Sequence, residues 1–339
     1  MDSVKPSSVE RDDLSRRGVL GGGLAAGVGA ALGVCGAGRS AEAQAVTGGG
    51  GLGVGSGKGY SFDYCLNAST VRGQRLDLRQ QVELVIGAGY DGFEPWINDV
   101  QAYRDAGGSL ADINKMCVDG GVTVASAIGF AQWIVDDDAA RAAGLEQMKR
   151  DMALLRTIGG IRIAAPPVGA HQAGAAKIDL DAAAERYAAV CSVGRDEGVL
   201  PQLEVWGFSA NLSKLGESMY VATASGDRDA CLLADVYHMF KGGSAFEGLK
   251  FLSSRSTHCF HMNDYPGGIS SADATDADRV YPGDGVAPLG DILRMFAENG
   301  CRLTLSLELF NRGYWEQPAE EVAATGLAKM KASVAGAGL

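Results

Sequence analysis

PQLEVWGFS, residues 201–209, decides the fold: a short apolar strand pattern ends on an acid, Glu204, and passes at once into aromatic and loop residues. Three later stretches repeat the arrangement. LLADVYHMF (232–240) carries Asp235, HCFHMND (258–264) carries His261, and LTLSLELFN (303–311) carries Glu308. Four successive strands that each end on an acid or imidazole predict a site at the C-terminal mouth of a parallel β/α barrel.

Working outward, short apolar runs alternate with helical patterns from residue 60 to the end. Strands are expected over 60–66, 92–94, 122–128, 161–165, 200–205, 231–237, 257–263 and 302–309. Helices are expected over 76–88, 110–120, 137–158, 180–198, 212–224, 247–254, 289–299 and 316–334. The long helix places Leu145, Met148, Met152 and Leu155 on one stripe. Eight βα units predict a single α/β domain, a (β/α)8 TIM barrel over 59–339. A doubly wound sheet fits less well, because no Gly-rich turn follows the first strand.

Three carboxylates and one imidazole, from Glu204, Asp235, His261 and Glu308, form a mostly hard ligand set. It suits one divalent ion, Mn²⁺ first, with Mg²⁺, Co²⁺ or Zn²⁺ as alternatives. Each residue alone would read as a solvated carboxylate or a core histidine. Four at matched strand ends do not, since a buried charge without a partner is costly. His238 follows Asp235 by three residues and is expected at the rim, facing substrate; His258 is expected on the opposite strand face from His261. Further pocket candidates are Asn67, Ser69 and Thr70 after strand one, Glu94 in FEPW placed to meet a hydroxyl, Lys241 in FKGG for an anion, and Trp96, Trp133, Trp206 and Phe208 to stack on a sugar face. His171 receives no role.

DVYHMFKGGS, LEVWGFS, HMNDYPG, RVYPGDG and SLELFNRGYW together resemble the sugar phosphate isomerase/epimerase family, the xylose isomerase-like TIM barrels, over about residues 60–335. Its members include ketose 3-epimerases, hydroxypyruvate isomerase and inosose dehydratase. The resemblance implies that Glu204, Asp235, His261 and Glu308 bind the ion and that His238 contacts substrate. The family's substrate-contacting arginine closely follows the strand-seven histidine. Here Tyr265-Pro266-Gly267 stands there, and the first arginine afterwards is Arg279. The implied activity is a metal-dependent sugar isomerase or epimerase, moving a proton beside a carbonyl through an enediolate, with Glu204 and Glu308 as the two bases. The alternative is a lyase or dehydratase on a keto-inositol or oxidised sugar with the same metal site. An endonuclease IV-like nuclease would need many histidines, and the chain has four. A non-catalytic sugar-binding protein would not need both candidate bases.

The net charge of −11 and the lack of a basic stripe argue against nucleic acid as a partner, and the resemblance implies a small sugar or cyclitol substrate. A homo-oligomer is compatible with the sequence. The N-terminus reads as a targeting segment: Ser15-Arg16-Arg17-Gly18-Val19-Leu20 is a twin-arginine pattern, a Gly/Ala-rich run follows, and Ala43-Gln44-Ala45 offers a cleavage site. Residues 1–45 are thus expected to be a twin-arginine signal peptide, 46–58 a Gly-rich linker, and the mature protein periplasmic or extracellular, with no stable membrane span after cleavage. Six cysteines remain after Cys35 leaves, none in a CxxC pair, and are expected as buried free thiols.

Overall fold

The computed structural model describes residues 59–339; the signal segment expected at 1–45 and the linker at 46–58 lie outside the described residues. The strands are β1 (Ser61–Asn67), β2 (Gly92–Glu94), β3 (Thr123–Val124), β4 (Arg162–Ala165), β5 (Leu200–Glu204), β6 (Leu232–Asp235), β7 (Thr257–Met262) and β8 (Arg302–Leu307). The helices are α1 (Leu78–Ala88), α2 (Ile97–Asp105), α3 (Leu110–Asp119), α4 (Asp138–Thr157), α5 (Leu180–Glu197), α6 (Leu215–Ala224), α7 (Val236–Gly242), α8 (Leu289–Glu298), α9 (Arg312–Trp315) and α10 (Ala319–Gly336).

All strand pairs are parallel, in the order β3-β2-β1-β8-β7-β6-β5-β4. The two ends of that sheet meet: Ala164 N donates to Ala127 O at 2.8 Å, and Arg162 Nη1 donates to Ala125 O at 3.1 Å. This seam closes a (β/α)8 barrel. Register sets the depth of the site. Asp235 stands beside His261, His261 beside Ser306, and Asn67 beside Glu94. Because side chains alternate along a strand, Leu233 and Cys259 lie one layer below Asp235 and His261 on the same face. They form a buried cluster with Ile128 and Ala164, packed against Trp96 and Phe130.

Local chemistry sets the helix limits. Asp77 and Gln80 form a capping box at the start of α1, and Gly89, at φ 81°, ends it. Asp179 caps α5, and Gly198 in the left-handed region closes it. The β3 pattern expected over 122–128 shortens to two residues, because Ala125–Ile128 leaves the ladder: Ala127 O serves the seam and Ile128 keeps a single bridge to Trp96. Strand β6 stops at Asp235, not Tyr237, because the Asp235 carboxylate accepts from His238 N at 2.8 Å and starts α7. The stretch expected to be helical over 247–254 is a 3-10 helix, Phe246–Phe251. Pro318 moves the start of the last helix from Glu316 to Ala319. Helices α2, α7 and α9 had no counterpart in the sequence reading. All six cysteines from Cys65 onward are free and buried. Among the described residues no helix is long and apolar enough to cross a membrane.

Candidate active site and metal centre

β5, β6, β7 and β8 deliver four side chains to the barrel mouth. His261 Nδ1 lies 3.1 Å from Glu308 Oε2, 3.6 Å from Asp235 Oδ2 and 3.9 Å from Glu204 Oε1. All four residues are buried. The nearest ligand atoms of Asp235, His261 and Glu308 fall within 4.8 Å of one another. Two atoms facing this space, Glu204 Oε2 and His261 Nδ1, are buried with no hydrogen-bond partner. One unpartnered carboxylate oxygen and one unpartnered ring nitrogen, beside two further carboxylates, fit a divalent ion. Cys259 comes close to His261 and Glu94 as well, but burial and the neighbouring Glu94 push its thiol pKa far up, so it stays a neutral thiol.

The layer behind the ligands orients them. His261 Nε2 lies 3.1 Å from Glu94 Oε2, which also accepts from Asn67 Nδ2 at 2.8 Å and Ser306 Oγ at 2.6 Å. This is the carboxylate–histidine arrangement that fixes a ligating imidazole. The structure therefore sets Glu94, expected to meet a substrate hydroxyl, behind His261 with no exposed atom. Asn67 is also fully buried, bridging Glu94 and Glu308 Oε1 at 3.3 Å. Thr70 Oγ1 donates to Leu307 O at 2.7 Å and pins the end of β8. Trp133 is a core residue whose Nε1 donates to Pro166 O at 2.8 Å. Lys241 holds the loop after β7 through Ala272 O at 2.9 Å and Ala274 O at 2.7 Å, which takes it out of the role of an anion ligand.

Charge in this cluster is tightly balanced. Burial would lower the His261 pKa, but Glu308 and Glu94 override it and hold it well above the ordinary value. Burial would raise Asp235, but the Arg279 charge beside it holds it below the usual carboxylate range. Glu204 goes the other way: burial dominates, His261 offsets part of it, Glu308 adds to it, and the carboxyl is pushed up to about 8. Burial lowers His238 and keeps it neutral.

Arg279 comes from the long β7–α8 loop and is 1% exposed. Its Nη1 donates to Asp235 Oδ2 at 2.9 Å and Glu308 Oε2 at 2.8 Å, and its Nη2 to His238 Nε2 at 3.2 Å. Tyr237 and Phe310 lie over its guanidinium at 4.5 and 5.0 Å. Sequence reasoning found this arginine but not its partner Asp276, which stands on a 3-10 turn, Asp276–Asp278, with no motif to mark it. A cavity of about 180 Å³ opens above the ligands, lined by Glu204, Glu308, His238, Arg279 and Asp276, with Trp96, Phe130, Trp206, Phe208 and Phe310 as walls. His171 stands edge-on to Trp206, with ring centroids 5.4 Å apart. A larger groove of about 520 Å³ lies between α1 and α10, but it contains none of these groups. Convergent polar groups mark the smaller cavity as the candidate site.

Comparison with known proteins agrees with this architecture. An inosose isomerase of Bacillus velezensis is 26% identical over 265 residues, covering 77% of this chain and 93% of that protein. A 3-dehydroshikimate dehydratase of Pseudomonas aeruginosa is 24% identical over 257 residues, 74% of this chain but 39% of its own length. Among solved structures, the IOLI protein with a bound zinc atom superposes with a TM-score of 0.74 at 21% identity, covering 81% of this chain and 98% of that one. An L-ribulose 3-epimerase superposes at 0.63 with 18% identity, covering 82% and 96%. The family model described as xylose isomerase-like TIM barrel matches residues 82–333. With the closed barrel and the match spanning most of its length, the chain belongs to the xylose isomerase-like TIM barrel family.

Proposed function

We propose that this protein is a divalent-metal-dependent isomerase or epimerase of small sugars or cyclitols, working by proton transfer beside a carbonyl. The observation that carries the reading is that Glu204 and Glu308, from β5 and β8, line one cavity while both lie within 3.9 Å of His261 Nδ1. Two carboxylates facing one substrate can take a proton from one carbon and return one to its other face or to the neighbouring carbon. Asp235, His261 and Glu308, whose ligand atoms cluster, would hold the ion together with Glu204, 3.9 Å from His261 Nδ1, and when bound it would supply Lewis-acid stabilisation of the oxygen next to the reacting carbon.

The chain's own groups do the rest. Glu94 and Asn67 fix the His261 ring and the Glu308 carboxylate in place. His238 Nε2 already accepts from Arg279, so the neutral imidazole is oriented at the cavity wall. Arg279 Nη1 bridges Asp235 and Glu308 and offers positive charge where oxyanion character develops. The aromatic walls exclude water and stack on the apolar faces of a ring. Mn²⁺ is the proposed ion on the mostly oxygen donor set, with Zn²⁺ supported by the zinc-bearing neighbour.

The test is an NMR screen of unphosphorylated keto-sugars and inososes with the Mn²⁺-loaded enzyme, read for product identity. An isomeric sugar or inosose supports the proposal. Release of water with formation of an enone would assign the protein to the dehydratases instead, and no turnover across the panel would remove the reading.

A further inference from the structure

Asp276 sits at the cavity mouth, its side chain 41% exposed, beside a guanidinium that is 1% exposed. Its Oδ1 accepts from Arg279 Nε at 3.1 Å and from Nη2 at 2.6 Å. Nε and the adjacent Nη are the edge that a guanidinium presents to a phosphate or a carboxylate. The other donors of Arg279 go to Asp235, Glu308 and His238, and the rings of Tyr237 and Phe310 lie 4.5 and 5.0 Å from its guanidinium carbon. Arg279 is the one lysine or arginine among the residues lining this cavity.

Charge points the same way. With an ion bound, Glu204, Asp235 and Glu308 would carry three negative charges, which the ion and Arg279 together would cancel; Asp276 then leaves the cavity net negative. An anionic substrate therefore meets, among the residues lining the cavity, no free cation and one uncompensated carboxylate. The small, aromatic-walled cavity further favours a compact ring.

We propose that Asp276 is a specificity-determining residue: it occupies the anion-binding edge of Arg279 and restricts the site to uncharged polyol rings, excluding phosphorylated and carboxylated ones. This deepens the proposed function and rests on it for the identity of the substrate. Asp276 acts through Arg279, so it is a positioning residue with respect to the chemistry.

The experiment uses Asp276→Asn and Asp276→Ser in the full-length protein, with inorganic sulfate as the anion probe, followed by calorimetry. Sulfate affinity should rise roughly ten-fold or more in both variants relative to wild type, and Arg279→Ala placed on Asp276→Asn should abolish the gain. In kinetics, KM for an uncharged substrate should stay within about three-fold, while KM for its carboxylated or phosphorylated counterpart falls. Unchanged sulfate affinity in both variants would overturn the proposal, as would wild type binding sulfate equally well. Loss of kcat and of thermal stability without any gain in anion binding would also overturn it, showing that Asp276 only props the loop. Sulfate binding requires no turnover, so failure of the NMR screen and failure of this proposal are separate results.

Discussion

Glu94 has no exposed atom, yet it governs which nitrogen of His261 meets the other acids. With Nε2 tied to Glu94, Nδ1 is left for the cluster of Glu204, Asp235 and Glu308. Glu94→Gln should weaken Mn²⁺ binding by roughly 10- to 100-fold by calorimetry, with the fold retained. An unchanged affinity would place Glu94 outside the metal centre. His258 gives a pH prediction that does not involve the site. Burial, and then the Arg162 charge, hold its imidazole down at about 4 from an ordinary 6.5. The unfolded chain therefore takes up a proton in that interval that the folded chain refuses, so this residue's contribution to stability is lost as pH falls from about 6.5 to about 4. His258→Gln should flatten that part of the denaturation-midpoint curve relative to wild type; an identical slope would show that His258 titrates normally. At this scale the four ligand candidates were legible because each terminates an apolar run. The inward direction of Glu94 was legible too, but its partner was not, because His261 is far away in sequence and adjacency across the barrel is set by register.

The β7–α8 loop is the element that carries Asp276 and Arg279 to the cavity. Asp264 anchors it: its carboxylate accepts from the backbone N–H groups of Tyr265, Gly283, Gly285 and Ala287 at 2.8 to 3.1 Å. Gly285 must be glycine here, since a Cβ would stand 2.2 Å from Tyr265 O. Tyr237 Oη donates to Ala274 O at 3.1 Å, and Asn311 Nδ2 donates to Arg279 O at 3.0 Å, so the loop is tied down on both sides of Asp276. Asp264→Ala leaves four backbone donors without their shared acceptor and should cost about 3 kcal/mol in chemical denaturation, with a weaker effect from Asp264→Asn. A loss below about 0.5 kcal/mol would mean that water replaces the carboxylate without penalty. Strands were readable where β-branched and leucine runs end on a turn, and helices where Asp caps and glycine stops frame a stripe, as in α1 and α5. Reading failed at β6 because the Asp235 that ends the strand also caps α7, and one residue performs both tasks. It failed at β3 because Ala125 to Ile128 make isolated bonds, across the seam from Ala127 and to Trp96 from Ile128, in place of a ladder.

For the whole molecule, one closed barrel collects side chains separated by more than 200 residues, from Asn67 to Glu308, into one hydrogen-bonded cluster. The eight βα units and their order followed from periodicity alone, since each unit is local; the closure between β3 and β4 did not. Beyond the barrel, we propose export by the twin-arginine route: replacing Arg16 and Arg17 with lysines should leave precursor inside the cell, and the mature chain should begin near Val46. Normal export of that variant would discard the assignment. The central claim is that Glu204 and Glu308 move the substrate's proton, and it is tested most directly by the rate at which solvent deuterium enters the substrate carbon. With a substrate from the NMR screen, the wild type should exchange, and Glu204→Gln and Glu308→Gln should each slow exchange by on the order of 10²-fold or more while still binding Mn²⁺. Exchange at the wild-type rate in Glu308→Gln would contradict the account, leaving the barrel and its ion site intact but the proton transfer assigned to the wrong groups.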